Sequence, residues 1–166
     1  ASSNSALVGA PARLPPVGVE IAIYRELGDI PPFNPDVDTE AGPAAIVRFR
    51  AALEASDAIL ISSPEYAHGV PGVLKNALDW VVSSGEIIYK PIALINASPR
   101  ATHAHASLRE TLTTMSGRVI REASVTIPLE GSTWDANVIA QDAHLSGLLR
   151  SALADLACFT RTARTL

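Results

Sequence analysis

The stretch Ser63 to Trp80, SPEYAHGVPGVLKNALDW, decides how the chain is read. It sets a loop of two prolines and two glycines between an apolar run, DAILISS, and an amphipathic one, VLKNALDWVV. Pro64 ends the apolar run. Pro71 suits the first turn of the following helix, where its missing N–H is not needed. Gly69 and Gly72 let the backbone turn or approach a ligand closely, Gly69 either at positive φ or against the ligand. The main-chain donors between these points, with Tyr66 above them, suit a flat heteroaromatic ring with polar edges, and the same chemistry would accept a nucleotide.

Working outward, short apolar runs alternate with helical periods. Val19 to Tyr24 (VEIAIY), Ala58 to Ser62 (AILIS), Pro91 to Ser98 (PIALINAS) and Arg118 to Pro128 (RVIREASVTIP) read as strands. Continuous apolar runs suit strands covered on both faces, as in a parallel sheet. Between them, Ile46, Phe49 and Leu53 share a helical face, as do Leu74, Leu78, Val81 and Val82, and then Leu108, Leu112 and Met115. A last helix over roughly Asn137 to Leu156 carries Leu145, Leu148, Leu149, Leu153 and Leu156. This alternation predicts an α/β fold, an open doubly wound parallel sheet in three α/β/α layers. The Pro-rich, acidic stretch Gly28 to Pro43 is a surface loop that borders the site if it leaves a strand's carboxyl end.

The 166 residues fit one domain, 1–166, with a sizeable core. Hydrophobic residues make up 48% but aromatics only 5%, so the packing is aliphatic. A net charge of -4 argues against a nucleic-acid surface. No run reaches the roughly 18 apolar residues of a membrane helix, and the start ASSNSALVGA lacks a signal-peptide pattern. The lone Cys158 excludes an internal disulfide and any multi-cysteine metal site, and fits a reducing cytoplasm.

In such a sheet ligands sit outside the strands' carboxyl ends. Three loops qualify. SSNS, with Ser2 and Asn4, has hydroxyls and an amide at a helix start, which serve either as caps or as phosphate ligands. The second is the central loop. The third, NASPRATHAHAS (Asn96 to Ser107), holds His103 and His105 at i, i+2, a spacing that diverges on a helix and lacks the further ligands a metal needs. His68 has no Ser or Asp at triad spacing. There is no Walker loop and no GxGxxG after a strand.

At SPEYAHGVPGVLKNALDWV the sequence resembles the NADPH-dependent FMN reductase family, whose motif reads Pro-Glu-Tyr-Asn, then Pro-Gly-x-Leu-Lys-Asn-Ala-x-Asp-Trp. SSNS, GDIPPFNPD, INASP and VTIP follow in the family's order. The resemblance implies a flavodoxin-like fold and an oxidoreductase passing a hydride from NADPH or NADH through bound FMN. The acceptor would be a quinone, metal oxyanion, azo compound or free flavin. A non-enzymatic FMN-binding electron carrier or regulator is the alternative. The resemblance places Ser2 and Asn4 in the phosphate loop. Pro64, Glu65, Tyr66, Ala67, His68 and Gly69 would line the isoalloxazine, largely through main chain, and Ser98, Pro99 and Arg100 would form the loop on its other side. No side chain is implied as catalytic acid or base, and a homodimer or homotetramer is implied through the helix after the central loop, with Trp80 on its outer side. Three departures stand out: Ala67 replaces the family's Asn, RATHAHA replaces a glycine-rich stretch, and the family's opening strand and Gly-Ser-x-Arg turn are absent before Ser2. The expectation is therefore a sheet without its first strand, and about ten further residues before Ala1 in the natural protein.

Overall fold

A computed structural model describes residues 3–39, 41–129 and 134–163. Its frame is a parallel sheet. Strand β1 (Ile59–Ser62) pairs with β2 (Pro91–Asn96), Ile59 opposite Ile92 and Ser62 opposite Ile95. On its other side β2 pairs with two short strands, β3 (Arg118–Val119) and β4 (Val125–Thr126). Helices α2 (Ala44–Ala55), α3 (Gly72–Asp79) and α4 (His103–Thr114) alternate with the strands. Helices α1 (Ser3–Gly9), α5 (Ala136–Gln141) and α6 (Ala143–Ala163) complete the order.

All six residues of β2 are buried. Because side chains alternate along a strand, Ile92 and Leu94 enter a cluster with Leu78, Leu108 and Leu112 from α3 and α4. Ala93 and Ile95 face the other way, onto α6 through Leu156, Leu149 and Leu153. The sheet therefore lies between two helical layers, as the apolar runs predict.

Four expectations are corrected. Val19–Tyr24 keeps a strand's alternation, with Ile21 and Tyr24 packed onto core clusters, but it forms no ladder. Alternation fixes which side chains point inward, but a strand also needs a neighbour. Among the described residues none pairs with the outer edge of β1 either. The stretch 118–128 is two strands, not one, because Arg121 and Glu122 loop out in a turn. The final helix is broken at Asp142, which is extended (φ -68, ψ 121) and whose carboxylate accepts from Leu145 N at 2.8 Å, capping α6.

The fourth concerns Trp80, which is fully buried and not on an outer face. Its indole Nε1 donates to the Pro31 carbonyl at 2.8 Å, and Phe33 meets it edge-on at 5.1 Å. Asn76 accepts from Phe33 N at 2.8 Å and donates to Pro31 O at 2.9 Å. Arg50, mostly buried, pairs with Asp38 at 2.6 Å and donates to the Trp80 carbonyl. Asn76 and Trp80 thus pin the Pro-rich loop over α3. Lys75 and Asp79 form the expected i, i+4 pair on the exposed side.

The turn between β3 and β4 would leave a hole in the ladder, and one hydroxyl closes it. Ser124 Oγ accepts from Leu94 N at 3.1 Å and donates to Ile120 O at 2.7 Å. Ser124→Ala orphans a buried amide and should cost about 1–3 kcal/mol. Urea unfolding of both proteins measures it. A loss below about 0.5 kcal/mol would show that the backbone relaxes to re-pair Leu94.

Candidate active site

The carboxyl ends of β1 and β2 open into a cleft of about 370 Å³ whose lining includes Asn4, Ser63, Pro64, Glu65, Asn96, Ser98 and Arg100. That volume falls within the roughly 300–1,000 Å³ of small-molecule sites. Among the described residues three polar side chains are buried, and two of them, Ser63 and Asn96, lie here. A buried polar group survives only if hydrogen-bonded, so these two define the floor.

Asn96 shapes one wall. Its Oδ1 accepts from Ser98 N at 3.0 Å and its Nδ2 donates to Ala101 O at 3.1 Å. Ser98 adds two bonds, its Oγ accepting from Arg100 N at 3.3 Å and its carbonyl from Ala101 N at 3.1 Å. The segment 96–101 is thereby wound into a compact turn, with the Arg100 side chain at the rim. At the base, Ser62 Oγ donates to Asn4 Oδ1 at 2.9 Å, which ties α1 to the end of β1.

Pro64 and Glu65 line the opposite wall and lead directly into a tight hairpin. Tyr66 and Gly69 exchange both main-chain bonds, at 3.2 and 2.8 Å. The two residues between them, Ala67 (φ 49) and His68 (φ 60), are both left-handed. Two consecutive positive φ values are the geometry of a type I′ turn, which normally takes Asn-Gly. Holding non-glycine residues there costs on the order of 1–3 kcal/mol each. Gly69 itself is not left-handed; a Cβ on it would sit 3.4 Å from Tyr66 O, and one on Gly72 would meet open space. The strain lies on their neighbours.

A match to the model of the NADPH-dependent FMN reductase family covers residues 1–131. The chain belongs to that family. It is 32% identical to the NAD(P)H-dependent FMN reductase of Pseudomonas aeruginosa over 98% of this chain and 90% of that one. It is 41% identical to a quinone reductase of Pseudomonas putida, over 60% of this chain and 55% of the relative. Its fold is similar to that of FerB, a flavoenzyme NAD(P)H:(acceptor) oxidoreductase from Paracoccus denitrificans, with a TM-score of 0.74, 26% identity and coverage of 97% and 91%. The three-layer sheet is the flavodoxin-like arrangement of such flavoenzymes.

Against this family's pattern, the cleft brings together Asn4, Pro64, Glu65, Ser98 and Arg100. Tyr66, exposed at 65%, Ala67, His68, Gly69 and Pro99 are not among the residues that line it. Ser2 lies outside the described residues. Ser63, Asn96 and Leu129 also line the cleft and were not anticipated as site residues. The signal for Asn96 was available: it is the polar residue that ends an otherwise apolar run.

Helix α4 begins at the cleft, and three contacts hold it there. Glu65 Oε2 accepts from Ala104 N at 2.8 Å. The His68 and His103 rings meet edge to face at 4.4 Å. The His105 ring lies beside the Ser63 main chain, and its Nε2 is buried without a partner. The histidines of the RATHAHA segment are thus anchors, and His103 and His105 diverge to different neighbours. Among the described residues no three His, Cys, Asp or Glu side chains are arranged to hold a metal.

Burial, followed by the nearby Arg109 charge, pushes the His105 imidazole below its usual range. The unfolded chain therefore takes up this proton more readily than the folded one. The stability His105 contributes is complete above about pH 6.5 and is lost as pH falls through that value toward the folded one. Denaturant unfolding between pH 7.5 and 5.5 should show a steeper fall for the wild type than for His105→Gln. Identical slopes would place the ring in solvent.

Proposed function

We propose that this chain is an NAD(P)H-dependent flavin reductase whose FMN sits between the 64–69 hairpin and the 96–101 turn. The observation that carries this reading is the paired walls at the strand ends. The amides of Glu65, Ala67 and His68 have no hydrogen-bond partner among the described residues, so the strained hairpin offers free donors to the polar edge of a flat ring. Ser98, Pro99 and Arg100 would cover its other side. Asn4, held by Ser62 at the start of α1, and Ser2 would meet the phosphate. When bound, FMN supplies the hydride-accepting and hydride-donating chemistry. The protein binds and orients it, and no side chain serves as acid or base. The names of the relatives support a quinone as acceptor. The acidic composition and the exposed lone Cys158 favour the cytoplasm, and among the described residues no helix is long and apolar enough to cross a membrane. The chain is read as one domain.

Purified protein should quench the fluorescence of added FMN, melt at a higher temperature in its presence, and oxidise NADPH faster when a benzoquinone is added. FMN binding without NADPH oxidation would make the chain an electron carrier. No binding at micromolar protein would remove the assignment.

Self-association belongs to the same proposal. Without Trp80, support comes from the exposed apolar side chains flanking the groove between α3 and α4, with Val82 61%, Ile88 49% and Tyr89 67% exposed. Lys75 and Asp79 on its edge present both charges, which suits a two-fold contact between copies. Light scattering should return at least a dimer mass, and Val82→Glu with Ile88→Glu should return a monomer. A monomeric wild type at micromolar concentration would exclude it.

A further inference from the structure

Glu65 stands on one wall of the cleft, yet its side chain is spent on the other. It is only 11% exposed, and both oxygens are engaged: Oε2 with Ala104 N at 2.8 Å, Oε1 with His68 Nδ1 at 3.0 Å. Ala104 is the second residue of α4, whose first amides have no partner within the helix. The local capping position cannot serve. Thr102 is helical (φ -93, ψ -34) and makes no side-chain cap, whereas a capping side chain reaches back only from an extended backbone. A carboxylate 39 residues earlier in the chain fills the role, where negative charge also suits the helix dipole.

We propose that Glu65 is a positioning residue that fixes the spacing of the two cleft walls by bonding the hairpin to the first turn of α4, and that it does not touch the bound ring. This rests on the reading of the cleft as the flavin site. A cap taken from the residue just before the helix would stabilise the helix alone. A cap taken from the facing wall does this and also sets how far apart hairpin and turn stand, because the 96–101 turn runs directly into α4. The His68 bond restrains the same carboxylate from the hairpin side. It also draws in the left-handed residue whose amide is one of the free donors. The groups facing Glu65 are the His68 and His103 rings. Its charge also reaches His105, the residue after Ala104, where Arg109 opposes it. The bond from Ala104 foremost holds the Glu65 carboxyl below its usual range, so it is ionised and able to accept both bonds at neutral pH.

The test compares wild type, Glu65→Gln and Glu65→Ala by three measurements: the FMN dissociation constant from flavin fluorescence quenching, amide exchange at Ala104 by NMR of the flavin-free protein, and its melting temperature. Glu65→Gln keeps the shape and one acceptor oxygen, so FMN should bind about 5-fold more weakly, against about 20-fold or more for Glu65→Ala. Ala104 exchange should quicken at least about 10-fold in Glu65→Ala. Lower melting temperatures with an unchanged FMN constant would reduce Glu65 to a plain helix cap and overturn the proposal. Weaker binding with unchanged Ala104 exchange would also overturn it, since Glu65 would then act on the flavin directly. If the wild type itself fails to quench FMN, the flavin reading falls and the proposal with it. Ala104 exchange would then still report whether the wall-to-wall bond exists.

Discussion

The complete burial of β2 governs the rest of the molecule. With ladder partners along both edges and helices over both faces, this strand has nowhere to place a polar side chain until it ends. Asn96 is that end. Its amide turns the chain through Ser98 to Ala101, and α4 follows from that turn. The same burial makes the gap between β3 and β4 intolerable without Ser124, because a buried amide on β2 cannot turn to water instead. The core and the cleft answer the same requirement, that every polar group of a buried strand be paired.

The cleft is held by bonds between residues distant in sequence. Ser62 reaches Asn4, Glu65 reaches Ala104, and Asn76 and Trp80 reach the loop around Pro31. Each fixes a surface loop to a regular element, so the site is built on rigid parts although its lining is mostly loop. In this light the motif that identifies the family divides in two. Pro64 and Glu65 line a wall of the cleft and the hairpin follows from them, while Asn76 and Trp80 hold down a neighbouring loop and take no part in the cleft.

The strands β1 and β2 and the helices α2, α3 and α4 were legible because their patterns are local: an apolar run for the strands, a 3.6-residue period for the helices. Only β2 is buried throughout; β1 is half-buried, beside an edge left unpaired among the described residues. What was not legible depended on partners. Val19–Tyr24 has a strand's alternation but no neighbour to bond. Arg121 and Glu122 interrupt a β-rich stretch that propensity alone would carry through. Asp142 breaks a helix because its carboxylate caps the next one, a choice that depends on how α5 and α6 pack. The structure has a cleft at the strand ends where the sequence reading expects the site, but the source of its turn differs from that reading. Glycine marks where left-handed backbone is cheap, and here Ala67 and His68 are held in it by the Tyr66–Gly69 bonds. Likewise the outward placing of Trp80 followed the helix wheel, which knows nothing of a loop folded over that side.

That loop makes Trp80 an internal optical probe. An indole sealed from water, bonded to one carbonyl and faced by one phenyl ring, emits at shorter wavelength than an indole in solvent. Its emission therefore registers whether residues around Pro31 and Phe33 are seated on α3. The other indole, Trp134, sits on the far helical layer, packed against the cluster of α1, α5 and α6. Replacing Trp134 with phenylalanine leaves a single tryptophan, which can be excited selectively over the tyrosines. Seating of this loop can then be followed in real time, separately from the visible absorption of a flavin.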